Sequence, residues 1–148
     1  MTPEDGPISI PPHLRVEEYF VSLLTADTTL TGLDIVAGSN RDALVPPLHC
    51  FVLCRNVEPL LSVGQNYFAD VIIGIAGNID DTNHTVRKSW TTLVLAALTR
   101  CEPGNYVDAP TGTNIRVLGW SVKSIEEASE GQNIGDLVRL RVAAWIAG

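Results

Sequence analysis

The sequence is poor in almost everything that marks a membrane protein, a nucleic-acid binder or an enzyme. It has no apolar run of 18 residues, so no segment reads as a membrane-spanning helix. Its first residues, MTPEDGPISIPPH, lack the basic and apolar regions of a secretory leader, which leads to the expectation of a cytosolic chain. Three cysteines, Cys50, Cys54 and Cys101, cannot all pair, and that suits a reducing compartment. The Asn83-His84-Thr85 sequon is then accidental. Only 10 Lys and Arg stand against 17 Asp and Glu, and a net charge of -7 argues against general binding to a phosphate backbone.

The chemical motifs fail one at a time. His49, Cys50 and Cys54 lie close together, but in a strand residues 50 and 54 sit about 13 Å apart at ~3.3 Å per residue, too far to share a zinc. Small buried thiols are the expected reading. The cluster Asp80-Asp81-Thr82-Asn83-His84 lacks the Gly and distal Glu of a calcium-binding loop and reads as a helix cap. Ser39 in Gly38-Ser39-Asn40 has half of a nucleophile elbow. Gly112 in Pro110-Thr111-Gly112-Thr113-Asn114 imitates a phosphate loop but precedes a strand, the wrong context. Glu126, Glu127 and Glu130 offer acid/base chemistry only in principle, because they fall in what reads as a solvated polar turn. No catalytic residue, cofactor site or metal site is therefore assigned. If a non-local site exists, His84, Asp81 and Glu102 are its candidate members.

What is present is a folding composition: 45% hydrophobic and 18% charged residues across 148 positions, a usual length for one domain. Residues 1–12 hold four of the nine prolines and no apolar period, and read as an extended arm ahead of a single domain over 13–148. A helix is expected from Pro12 to about Ala26, with Leu14, Tyr19, Phe20, Leu23 and Leu24 inward. Short apolar runs follow at Leu33 to Ala37 and Leu48 to Leu53. In Asn66 to Ala76, Tyr67, Ala69, Val71, Ile73 and Ile75 alternate with Phe68, Asp70, Ile72 and Gly74, which predicts a strand covered on both faces.

A long amphipathic helix is predicted from Asp80 or Asp81 to about Thr99 through Val86, Trp90, Leu93, Val94, Ala97 and Leu98, with Arg87 and Lys88 toward its polar side. The chain should close on a hairpin: a strand Ile115 to Ile125, a polar turn Glu126 to Gly135, and a strand Asp136 to Ile146. In the last strand Val138, Leu140, Val142, Ala144 and Ile146 make one face, while Arg139 and Arg141 stand on the other. Trp90 reads as core, and Trp120 and Trp145 are placed to face each other across the hairpin. The fold class is α+β, a mostly antiparallel sheet with two helices packed on it and a closing β-hairpin.

Charge divides unevenly. Residues 1–81 carry three basic and eleven acidic side chains, a balance of -8, while residues 82–148 carry seven and six, a balance of +1. Such a chain either makes head-to-tail contacts between copies or has a solvated surface clustered by chance.

The helix ending Leu24-Thr25-Ala26-Asp27-Thr28-Thr29-Leu30, the strand Tyr67 to Ala76, the helix Val86 to Arg100 and the hairpin with its Val-Arg-Leu-Arg-Val strand resemble the tail-terminator, or tail-completion, proteins of long-tailed bacteriophages. The likeness spans roughly residues 13–147 and rests on length and element order. It implies a homohexameric ring that caps the tail tube, stops its growth and joins it to the head connector or adaptor, located in the virion and assembled in the host cytoplasm. Its partners would be other copies of itself, the tail tube protein and the connector, with no membrane and no sequence-specific nucleic acid. DNA would pass through the ring, past the acidic half, without sticking. Contact residues under this likeness are Pro11 and Pro12 of the arm, Arg41, Pro46 and Pro47 of one loop, Asn105 and Tyr106 of another, and Arg139, Arg141 and Trp145 of the last strand. The arm is a departure from the pattern. A connector adaptor or stopper of the phage neck, and a small enzyme or ligand-binding domain, are the competing readings.

Overall fold

The structure, a computed structural model, describes residues 12–38, 48–59, 66–78, 81–100, 115–130 and 133–146. Its elements run α1 (Pro12–Thr25), a 3-10 turn (Thr28–Leu30), β1 (Ile35–Ala37), β2 (His49–Pro59), β3 (Asn66–Asn78), α2 (Asp81–Arg100), β4 (Ile115–Glu130) and β5 (Asn133–Ile146). The five strands form one sheet in the order β1-β2-β3-β5-β4, antiparallel throughout except for the parallel pair β1 and β2. The α+β class expected from the sequence is the class observed.

Pro12 opens α1, where a missing N–H costs nothing because the first amides of a helix have no internal partner. At the other end Asp27 caps the 3-10 turn: its Oδ1 accepts from the Thr29 N–H at 3.0 Å. Arg100, the last residue of α2, donates to Asp27 Oδ2 at 2.8 Å and to Thr29 Oγ1 at 2.9 Å, which ties the two helix ends together. Burial alone would raise the Asp27 carboxyl, but the hydrogen bonds from Thr29 and Arg100 prevail and hold it below its ordinary value. Gly32, at φ +94°, makes the left-handed step that leads into β1.

Both helices cover the same side of the sheet. Val16, Phe20, Leu23 and Leu24 of α1 and Val94, Ala97 and Leu98 of α2 pack with the inward residues Cys50, Val52, Val71, Ile73, Ile75, Val138, Leu140 and Val142. The period of β5 was readable because its inward positions from Val138 to Ala144 are apolar, and the same is true of β3 from Ala69 to Ile75. Cys50 and Cys54 are both buried, and burial, with nearby Asp34 and Glu17 respectively adding to it, pushes each thiol up to about 12. Val86, expected inward, is 44% exposed, because the buried stripe of α2 runs through Arg87, Thr91, Val94 and Leu98, and Val86 stands about 100° from Arg87 around the helix.

The other side of the sheet carries a small second core, where Phe51, Ile72 and Ala76 are buried with Val36, Leu53 and Leu137 against them. Gly74 makes this possible. A Cβ there would lie 2.4 Å from the Phe51 ring and 3.1 Å from Leu137. The substitution Gly74→Ala is expected to displace the Phe51 ring and cost about 1–3 kcal/mol, read as a lower urea midpoint with an unchanged slope. A variant as stable as the parent would show that the ring has room to move.

Three expectations need correction. The polar turn placed at Glu126 to Gly135 is strand on both sides, since β4 continues to Glu130 and β5 begins at Asn133. Ladder pairing of Glu126 with Leu137 and Glu127 with Asp136 overrides the low strand propensity of the acids. The strand expected to stop at Leu53 runs on to Pro59 by pairing with β3. Trp120 and Trp145 do not face each other, because Trp120 stands opposite Val142 and Trp145 opposite Arg116. Trp120 instead meets Phe20 of α1 edge to face, with ring centroids 5.5 Å apart.

Candidate functional site: interaction surfaces and a charged clasp

Two surfaces and one charged cluster hold the polar chemistry of the described residues. The cluster joins α2 to the closing hairpin. Thr91 lies one helical turn beyond the adjacent Arg87 and Lys88, four and three residues on, and all three reach Asp136 on the inward side of β5. Lys88 Nζ lies 2.7 Å from Asp136 Oδ1, Arg87 Nε lies 3.3 Å from the same atom, and the Thr91 hydroxyl lies 2.8 Å from Oδ2. Glu127, the neighbour of Asp136 across the ladder, receives both Arg87 and Lys88 at 3.0 Å. Arg87 was expected toward the polar side of the helix, yet it is 1% exposed.

Burial works to raise the Asp136 carboxyl, but the hydrogen bonds from Lys88 and Thr91 and the charges of Arg87 and Lys88 hold it below its ordinary value. The Lys88 ammonium is raised, first by its hydrogen bond to Asp136. Glu127 is lowered, first by its hydrogen bond to Lys88. A signal for this cluster was present: Asp136 shares the parity of Val138 and Leu140, and an acid on an inward face requires cationic partners.

The first surface is the side of the sheet away from the helices, where Arg139 and Arg141 stand as expected. Neither offers a free charge. Arg139 Nε donates to Glu126 Oε1 at 2.7 Å, and Arg141 holds Asp70 at 2.9 Å and Glu58 at 3.3 Å while lying 4.7 Å over the Phe68 ring. Glu126, expected to be solvated in a turn, is lowered first by its hydrogen bond from Arg139.

The second surface is the long outer edge of the sheet, β4. Three of the four large exposed apolar residues among those described, Leu118, Val122 and Ile125, lie on this strand. The opposite edge, β1, is three residues long, and where it ends the buried Glu17 carboxylate of α1 takes over by accepting the Cys54 N–H at 2.9 Å. Two register shifts in β4, at Leu118 and Lys123, interrupt its edge.

Of the other residues singled out in the sequence, Pro12 begins α1 and Trp145 lies in β5, but their side chains fall outside the described set, as do those of Asp81 and His84. Pro11, Arg41, Pro46, Pro47, Glu102, Asn105 and Tyr106 lie outside the described residues altogether. Among the described residues no helix is long and apolar enough to cross a membrane, and no group of three His, Cys, Asp or Glu side chains converges.

No family model and no curated protein sequence matches the chain. Solved structures do. A chain from the virion of a native gene transfer agent particle is similar over 90% of this chain and 95% of its own, with a TM-score of 0.52 at 14% identity. A second solved chain is similar over 91% and 94% respectively, at 16% identity and a TM-score of 0.46. The former likeness establishes a shared fold.

Proposed function

We propose that this chain is a structural protein of a virion, working by assembly rather than catalysis, as a homohexameric ring that caps a tail tube and joins it to the head connector. The observation that carries the reading is the end-to-end likeness of its fold to a chain of a gene transfer agent virion, which leaves little of either chain uncovered. Two features of the molecule support it. The sheet has two unlike edges, a long β4 with exposed apolar residues and a short β1, so joining one to the other between copies is a heterologous contact of the kind that closes rings. The net charge of -7 suits a ring through which DNA passes without adhering.

Light scattering on the purified chain, alone and with isolated tail tubes, tests this. The expected result is a particle of about six chain masses of 16.0 kDa, either free or on the tube end. The substitution Ile125→Asp on the β4 edge is expected to shift that particle toward monomer without lowering the thermal midpoint, since Ile125 is 55% exposed. A strict monomer that ignores tube ends would overturn the reading. Binding to the connector side instead of the tube would select the adaptor or stopper reading.

A further inference from the structure

The sheet side away from the helices contains a shallow concavity of about 440 Å³, lined by Arg55, Asn56, Asp70, Ile72, Lys123 and Arg139 among others. Two of these residues are the extra residues of β-bulges. In β2, Cys54 pairs with Val71 and Asn56 with Asp70, so Arg55 has no partner position. In β4, Val122 pairs with Leu140 and Ser124 with Arg139, so Lys123 has none either. Bulges re-aim the side chain they add, and here two separate strands deliver a cation to the rim of one concavity.

These cations differ from their neighbours in a second respect. Among the described residues, Arg87, Lys88, Arg100, Arg139 and Arg141 each hold a carboxylate of this chain. Arg55 and Lys123, both exposed, hold none. Among the described side chains, cationic charge without an acidic partner gathers at this concavity.

We propose that the concavity binds the carboxylates of an acidic protein segment, with Arg55 and Lys123 each taking one and Ile72 forming the floor between them. The spacing suits an extended peptide. From β2 to β4 is three strand spacings, about 14 Å, and acids four residues apart in extended chain lie ~13 Å apart on the same side. A nucleic-acid backbone fits worse, because Asp70 lines the concavity and Glu126 and Glu58 stand beside it on Arg139 and Arg141, so a continuous row of phosphates would meet carboxylates. The site needs only the isolated chain and is independent of the virion reading.

The test is a titration of the full chain with a blocked pentapeptide bearing glutamate at its first and fifth positions. Its glutamine counterpart, inorganic phosphate and a short DNA duplex serve as rivals, and the backbone amide signals of Asp70 and Ile72 report binding. The glutamate peptide is expected to shift both signals saturably and the glutamine peptide to bind at least about threefold more weakly. Arg55→Ser and Lys123→Ser should each weaken binding about threefold and the double variant about tenfold, with unchanged thermal midpoints because both side chains are exposed and neither holds a partner among the described residues. No saturable shift, undiminished binding by the double variant, or preference for phosphate or duplex would each overturn the proposal.

Discussion

Replacing Asp136 with alanine is expected to lower the unfolding free energy by about 3–5 kcal/mol, because it removes the buried one of the two carboxylates that the buried Arg87 guanidinium holds. The loss measures the charge left behind, not the worth of the ion pair. Lys88 is half-exposed and can turn to water or to Glu127, whereas Arg87, at 1% exposure, must stay where the helix puts it. Asp136→Asn keeps an acceptor for Thr91 but loses the charge, and should cost less, about 1–3 kcal/mol. Urea unfolding of the three proteins at neutral pH checks the order; an alanine variant within 1 kcal/mol of the parent, roughly the scale of a surface pair, would show that the contacts Arg87 keeps, Glu127 among them, suffice for it.

The same carboxylate makes stability depend on acid. Its folded value lies below the ordinary 3.8, so the unfolded chain binds the proton first as pH falls. The contribution of Asp136 is therefore complete above the ordinary carboxylate range and drains away below 3.8 as pH approaches the lowered folded value. In the asparagine variant that part of the acid sensitivity should vanish.

Phe20→Ala is the second large expected loss, also about 3–5 kcal/mol, from lost transfer energy and the cavity left behind. Phe20 is fully buried and meets Tyr19 at 5.2 Å and Trp120 at 5.5 Å, both edge to face. It is the aromatic link between α1 and the edge strand β4. A change in tryptophan fluorescence should accompany the loss, since Trp120 would lose one wall of its environment. Phe20→Leu, which refills most of the volume, should recover the greater part. Equal stability of the alanine and leucine variants would mean that the helix collapses onto the gap.

The two largest losses fall on residues of different legibility. Phe20 was readable because helical spacing with Tyr19, Leu23 and Leu24 placed it inward, and packing follows that period. Asp136 was placed correctly in a strand, yet its four partners come from α2 and β4, at separations of 9 to 49 residues. Local pattern carries no information about which distant groups meet. For the same reason Arg139 and Arg141 were correctly set on the outward face, while their capture by Glu126, Asp70 and Glu58 depends on the register of β5 against both neighbours.

By itself, then, the amino-acid order determined the α+β class, both helices, and the parity of β3 and β5, since each follows from side-chain period and local backbone chemistry. Only the tertiary structure decided that Glu126 to Glu130 is strand, that Arg87 is buried, and that Trp120 turns to Phe20. It alone also brought Arg55 and Lys123 to one concavity. The physical reason is common to all four: strand pairing, and the bulges that interrupt it, are settled by ladder hydrogen bonds and packing between segments far apart in the chain, which outweigh the local preferences of the residues they enlist.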